Sequence, residues 1–159
     1  MFVLTAKVSK TKLAAIVTLI LAIVVVTVVA LTVRKQGAPA AGQTADADSN
    51  EARVTFLAGY GWDVNAEPIE VQTVTVPSSE DSPVFARYNE LQRSQGYDLS
   101  QFAGQEATRY VYEILNYPEA DEPVYATVLV RDGQVIGGDV TNTAEDGAMH
   151  GFAAPSSVS

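Results

Sequence analysis

Cysteine is absent from the chain, and histidine and tryptophan occur once each. Without thiols there are no disulfides, no thiolate metal sites and no cysteine nucleophile. There is also no cysteine to carry a lipid, which excludes a lipoprotein. Lysine disappears early: Lys7, Lys10, Lys12 and Lys35 all precede Gln36. From Gln36 onward, five arginines face 19 acidic residues, a formal charge of −14. Such a segment repels nucleic acid, anionic headgroups and anionic wall polymers, and favours cations or basic partners.

Charge is missing altogether between Leu13 and Val33, 21 residues reading LAAIVTLILAIVVVTVVALTV. A helix of that length is about 31 Å long and matches a bilayer hydrocarbon core. The run is too long for the apolar core of a cleaved signal, and Arg34 and Lys35 follow it as a stop. It predicts an uncleaved transmembrane anchor that contacts the lipid bilayer through residues 13–33. Lys7, Lys10, Lys12 and the terminal amine outweigh Arg34 and Lys35. The richer flank stays inside, so residues 1–12 are expected in the cytoplasm and the C-terminal bulk outside.

Residues 34–49 read as a linker. Its portion from Gln36 to Ser49, QGAPAAGQTADADS, is small, polar and aperiodic, and predicts a flexible tether spanning roughly 20 Å. Residues 153–159 (AAPSSVS) read as a disordered tail. One domain, residues 50–152, remains between them, large enough to fold on its own core.

Ser49 or Asn50 caps a short helix with Val54, Phe56, Leu57 and Ala58 as its apolar stripe, and Gly59 and Gly61 stop it. Trp62 follows as a core anchor. Pro68 to Val76 reads as a strand whose apolar phase slips, which predicts a bulge near Gln72-Thr73. Ser82 caps a second helix, with Pro83 in its first turn and Val84, Phe85, Tyr88 and Leu91 on one face. Gln105 to Asn116 alternates, with Thr108, Tyr110, Tyr112 and Ile114 on one side. Val124 to Arg131 and a strand ending near Asn142 flank Asp132-Gly133, a two-residue hairpin turn expected to pair Val130 with Val135 and Leu129 with Ile136. The order predicts an α+β domain: an antiparallel sheet of about four strands with two helices packed on one face.

MFVLTAKVSK at the start, FLAGYGWDV at 56–64, SQGYDLS at 94–100, YEILNYP at 112–118 and the run from VIGGDV to MHGF occur in this order. Together they resemble an uncharacterised family of small single-pass membrane proteins of Gram-positive bacteria. The resemblance covers Met1 to about Phe152. It implies an extracytoplasmic globular domain on an N-terminal anchor, and it brings no assigned activity.

Catalytic signals are few. Gly137-Gly138-Asp139 is similar to the signature of cyclases that make cyclic dinucleotides, but Val140 and Thr141 stand where a further acidic residue and a phenylalanine are needed. The glycines read instead as a bulge ending a strand. Asp139 to His150 lacks the acidic spacing of a calcium loop, and no zinc, phosphate-loop or serine-triad spacing occurs. No metal and no cofactor are expected. His150 with Asp139 is the one combination that acid–base chemistry could use. Gly138, Asp139, Asn142 and His150 are accordingly binding candidates, as are Tyr110 and Tyr112 if their strand face lies open. The reading is a non-enzymatic binding or regulatory module for an envelope protein, peptide or wall ligand. The alternative is a hydrolase-like or metal-assisted enzyme using Asp139 and His150.

The full chain is expected to sediment with membranes and to resist alkaline carbonate, whereas a chain starting at Ala45 is expected in the supernatant. Release of the full chain by carbonate contradicts an integral anchor.

Overall fold

The computed structural model describes residues 45–78 and 82–155. No helix among them is long and apolar enough to cross a membrane. The apolar run at 13–33 lies outside the described residues, as do residues 1–12, most of the tether and the last four residues of the tail.

Helix α1 (Asn50–Gly59) begins where Ser49 accepts a hydrogen bond from Ala52 N at 3.0 Å. Strand β1 (Glu70–Thr75) is followed by α2 (Pro83–Ser94), capped by Ser82 and opened by Pro83, which has no amide hydrogen to leave unpaired. A short 3-10 turn (Leu99–Phe102) leads into β2 (Glu106–Ile114), β3 (Val124–Arg131), β4 (Gln134–Asn142) and β5 (Met149–His150). The five strands lie side by side in chain order, all antiparallel. The fifth strand, two residues long, exceeds the expected count.

Neither sheet face carries both helices, contrary to expectation. Tyr110, Tyr112 and Ile114 of β2 and the even-numbered residues Val124 to Val130 of β3 share the first face, under Phe56 and Leu57 of α1, Trp62 and Phe152. Ala107, Leu129 and Ile136 share the second, under Phe85 of α2 and Leu99. A central strand apolar on both sides needs cover on both, and α1 and α2 supply it separately. Among the described residues every buried apolar side chain lies between Ala47 and Phe152, so the compact unit from Ala38 onward contains this core.

The domain also starts earlier than position 50. Asp46 bridges Gln134, Ala47 N donates to Gly133 O at 2.8 Å, and Ala47 is fully buried. Arg53 fixes this entry: its Nη1 donates to Ala47 O at 2.8 Å, its Nε donates to Tyr112 Oη at 2.9 Å, and its guanidinium lies 3.7 Å from the Tyr110 ring centroid. Residues 45–49 are therefore part of the domain rather than tether. At the other end, Ala153 to Pro155 are exposed.

Strand β1 runs in continuous register with β2, from Glu70 opposite Val111 to Thr75 opposite Glu106, and has no bulge at Gln72-Thr73. The apolar phase slip arises because Ile69 and Val71 stay more than half exposed at the sheet edge. The bulge lies instead in β4. Val130 pairs with Val135 as expected, but Leu129 pairs with Gly137, leaving Ile136 as the extra residue. That residue joins the second-face core while Val135 stays with the first. Asp132 (φ 49°) and Gly133 (φ 73°) form the hairpin turn with the positive angles expected.

Just past the bulge, Gly138 adopts φ 155°, and a Cβ there would collide with Thr127 O and the Phe152 ring. The glycine pair therefore sits within β4 rather than at its end. Gly138→Ala is expected to destabilise the domain by about 2 kcal/mol or more, through strain and overpacking together. An unchanged urea midpoint contradicts the close approach of β3, β4 and Phe152.

Candidate functional site

On the second face, α2 covers only part of the sheet. The uncovered part forms a groove with a volume of about 790 Å³. Its floor comes from alternate residues of adjacent strands: Arg109 and Val111 of β2, Tyr125 and Thr127 of β3, Asp139 and Thr141 of β4. Val74, Val76, Phe85, Tyr88 and Leu99 wall one side, while Ile69 and Met149, both about half exposed, stand among the lining residues. A concave, mostly apolar site with a few convergent polar groups has the general form of a ligand pocket.

Asp139 is the polar centre of this floor, and it is only 4% exposed. The bulge in β4 sets its phase, pairing it with Thr127 so that both face the groove. Tyr88 Oη donates to Asp139 Oδ2 at 2.8 Å, and Thr141 Oγ1 donates to Oδ1 at 2.7 Å. Burial pushes the Asp139 carboxyl above its ordinary value, although these two donors and the charges of Arg109 and, across the sheet, His150 pull the other way. Burial and the neighbouring Asp139 charge push the Tyr88 phenol far above its own. The pair thus agrees on the state: Tyr88 keeps its proton and donates to an acidic partner. Arg109 is itself engaged, with Nη1 2.7 Å from Glu70 Oε1.

His150 is elsewhere. It pairs with Val140 across β4 and β5, so it lies on the face opposite Asp139. There Nδ1 is 2.6 Å from Gly151 O, which can only accept, so Nδ1 carries a proton. In the neutral ring, Nε2 therefore accepts from Tyr117 Oη at 3.1 Å. Tyr117 stacks on Trp62, whose Nε1 donates to Phe152 O at 2.6 Å. Asp139 and His150 are thus separated by the sheet and form no acid–base pair.

Tyr112 is fully buried, donating to Asn50 Oδ1 at 2.8 Å, and Tyr110 is half-buried beneath Arg53. Over β2 and β3 their strand face is packed under Phe56 and Leu57 of α1, Trp62 and Phe152. Asn142 closes its own turn, accepting from Ala144 N at 3.0 Å. Gly138 is enclosed, bonded on both its N–H and C=O by glutamine side chains of α2 and its C-terminal end. Of the candidates read from sequence, only Asp139 lines the groove. Tyr88, Arg109, Thr127 and Thr141 were not singled out. For Arg109 the signal was present, since strand alternation placed it opposite Tyr110 and beside Val111. Among the described residues no three histidine, aspartate or glutamate side chains converge as a metal site.

Residues 56–140 match the family model described as a domain of unknown function, DUF4830, and the chain belongs to that family. The match ends one residue beyond Asp139, so it takes in most of the groove floor. No curated protein and no solved structure matches the chain.

A carboxyl raised above its unfolded value binds its proton more tightly in the fold. Asp139 therefore favours the folded state at pH below the ordinary value of 3.8, and that contribution is lost as pH rises through the raised value. Relative to the unaltered domain, Asp139→Asn is thus expected to be more stable at about pH 7.5 than at about pH 4. Thermal melts of both proteins at the two pH values measure the difference. A variant-to-parent difference that does not change with pH contradicts a raised carboxyl.

Proposed function

We propose that this protein is a binding module, held at the membrane by residues 13–33 and displayed outside the cytoplasm, whose ligand site is the groove over β2, β3 and β4. The observation that carries the reading is the open groove with a buried carboxylate at its floor. Burying Asp139 against its own desolvation costs stability, and a fold built for stability alone gains from an apolar residue there. Such a cost is characteristic of residues kept for a ligand. Support for the anchor and its orientation comes from the uncharged run, the lysines before it and the resemblance to Gram-positive membrane proteins. The separation of Asp139 from His150 by the sheet favours binding over the acid–base alternative.

The neutral apolar dye N-phenyl-1-naphthylamine tests the groove. It is expected to bind the unit starting at Ala38 saturably, one dye per chain, with a rise in fluorescence. Thr127→Trp fills the floor and is expected to abolish the rise while leaving the circular dichroism spectrum intact. Unsaturable binding, or binding unaffected by Thr127→Trp in a folded protein, overturns the assignment.

A further inference from the structure

We propose that the groove takes a small amphiphile bearing a protonated amine, its ammonium seated against Asp139 and its aliphatic body along Val76, Phe85 and Leu129. The proposal rests on the groove being a ligand site and adds the chemistry of the ligand.

Charge points to the head group. The ionisable carboxylates and guanidinium of the lining are Glu70, Asp139 and Arg109, a net charge of −1. Glu70 and Arg109 hold each other at 2.7 Å. Among the described residues no cationic nitrogen lies within 4.0 Å of Asp139. Asp139 is therefore a buried carboxylate with hydroxyl donors but no cation in contact. A carboxylate accepts about four hydrogen bonds, and Tyr88 and Thr141 supply one each. An ammonium brings up to three donors and the missing charge at once. The field of the domain works in the same direction, since −14 formal charges and no lysine from Gln36 onward draw cations in and turn anions away.

The walls define the rest of the ligand. Val74, Val76, Phe85, Leu99 and Leu129 present hydrocarbon, and a second charge along them would be desolvated without a partner. This disfavours polyamines. It also disfavours a peptide strand, whose amide groups would meet side chains with few donors or acceptors. A divalent cation needs six or more oxygen ligands, and here one carboxylate is free. A volume of about 790 Å³ suits one compact molecule.

Three ligands with the same eight-carbon body separate the possibilities: n-octylamine, 1-octanol and octanoate, titrated near neutral pH into the unit starting at Ala38 and followed by amide chemical shifts. Octylamine is expected to bind about tenfold or more tightly than octanol, with shifts at Tyr88, Arg109 and Thr127, and octanoate more weakly than either. In Asp139→Asn, octylamine is expected to fall to the affinity of octanol, with octanol unchanged. Equal affinity of octylamine and octanol, with shifts in the groove, overturns the amine and leaves the groove standing. No groove shifts with any of the three overturns both. Tighter binding of spermine, or of a lysine-containing peptide, than of octylamine also overturns the proposal. The comparison of ligands on the unaltered domain decides the matter even if Asp139→Asn does not fold.

Discussion

Two glutamine side chains hold the sheet and its second helix together. Gln92 Oε1 accepts from Gly138 N at 2.8 Å, and Gln95 Nε2 donates to Gly138 O at 2.9 Å. The same Gln95 accepts from Phe152 N at 2.6 Å through its Oε1. A backbone N–H and C=O buried in β4 would each leave a costly unpaired group, and the amides supply what a neighbouring strand normally does. Gln92 is fully buried, so the clasp is shielded from water. It also ties the end of the domain to α2, because Phe152 is itself fully buried against Phe56 and Tyr97. Only glycine permits this arrangement, since a side chain at position 138 would meet Thr127 O and the Phe152 ring.

That clasp decides where the groove is. With its C-terminal half fixed beside Gly138, α2 sets Phe85 and Tyr88 over the Ala107, Leu129 and Ile136 part of the second face. Asp98 completes the fixation: it accepts from Asn89 Nδ2 and Ser100 N at 3.0 Å each, while Asn89 Oδ1 accepts from Leu99 N at 2.7 Å. The Ser100 hydroxyl, donating to Asp98 Oδ1 at 2.6 Å, and then these donors hold the Asp98 carboxyl well below the usual carboxylate range. Leu99 is thereby pinned as a plug beneath α2. Floor residues from Val111 across Tyr125 to Thr141 receive no helix, and the groove is the part of the face that α2 does not reach.

The parts of the fold set by local chemistry were legible in the sequence. Ser49 and Ser82 cap helices because a hydroxyl before an apolar stripe satisfies first-turn amides, and Asp132-Gly133 turns a hairpin because its backbone angles are positive. Trp62 was legible as core by bulk alone. Errors arose where one strand pattern admits two causes. The phase slip in the segment from Ile69 to Val76 signals either a bulge or an exposed edge, and the edge won because β1 has only one neighbour. In the hairpin, Leu129 opposite Ile136 follows from perfect alternation, which Gly137 and Gly138 break. The site was harder still. Asp139 drew attention for its glycines and its nearness in sequence to His150, but its true partner, Tyr88, is 51 residues away and reads as an apolar helix position. A tyrosine shows its ring to a periodicity argument and hides its hydroxyl.

The two sheet edges and two faces differ in a way that bears on function. At β4, the outer side is covered throughout: residues 45–47 pair beside Gln134 and Val135, the glutamines bond Gly138, and β5 pairs with Val140 and Thr141. Over β2 and β3 the first face is covered, with Arg53 clamping the chain entry over Tyr110 and Tyr112, while Val71, Thr73 and Thr75 of β1 stay exposed. On the second face, two hydroxyl donors fill two of the about four acceptor sites of Asp139 and leave its charge without a cation in contact. An internal arginine in contact would have supplied that charge, and Arg109 is on the same face, yet its guanidinium is turned to Glu70. The unmatched charge therefore lies in the uncovered part of the sheet, where water or a ligand can reach what the protein leaves uncompensated.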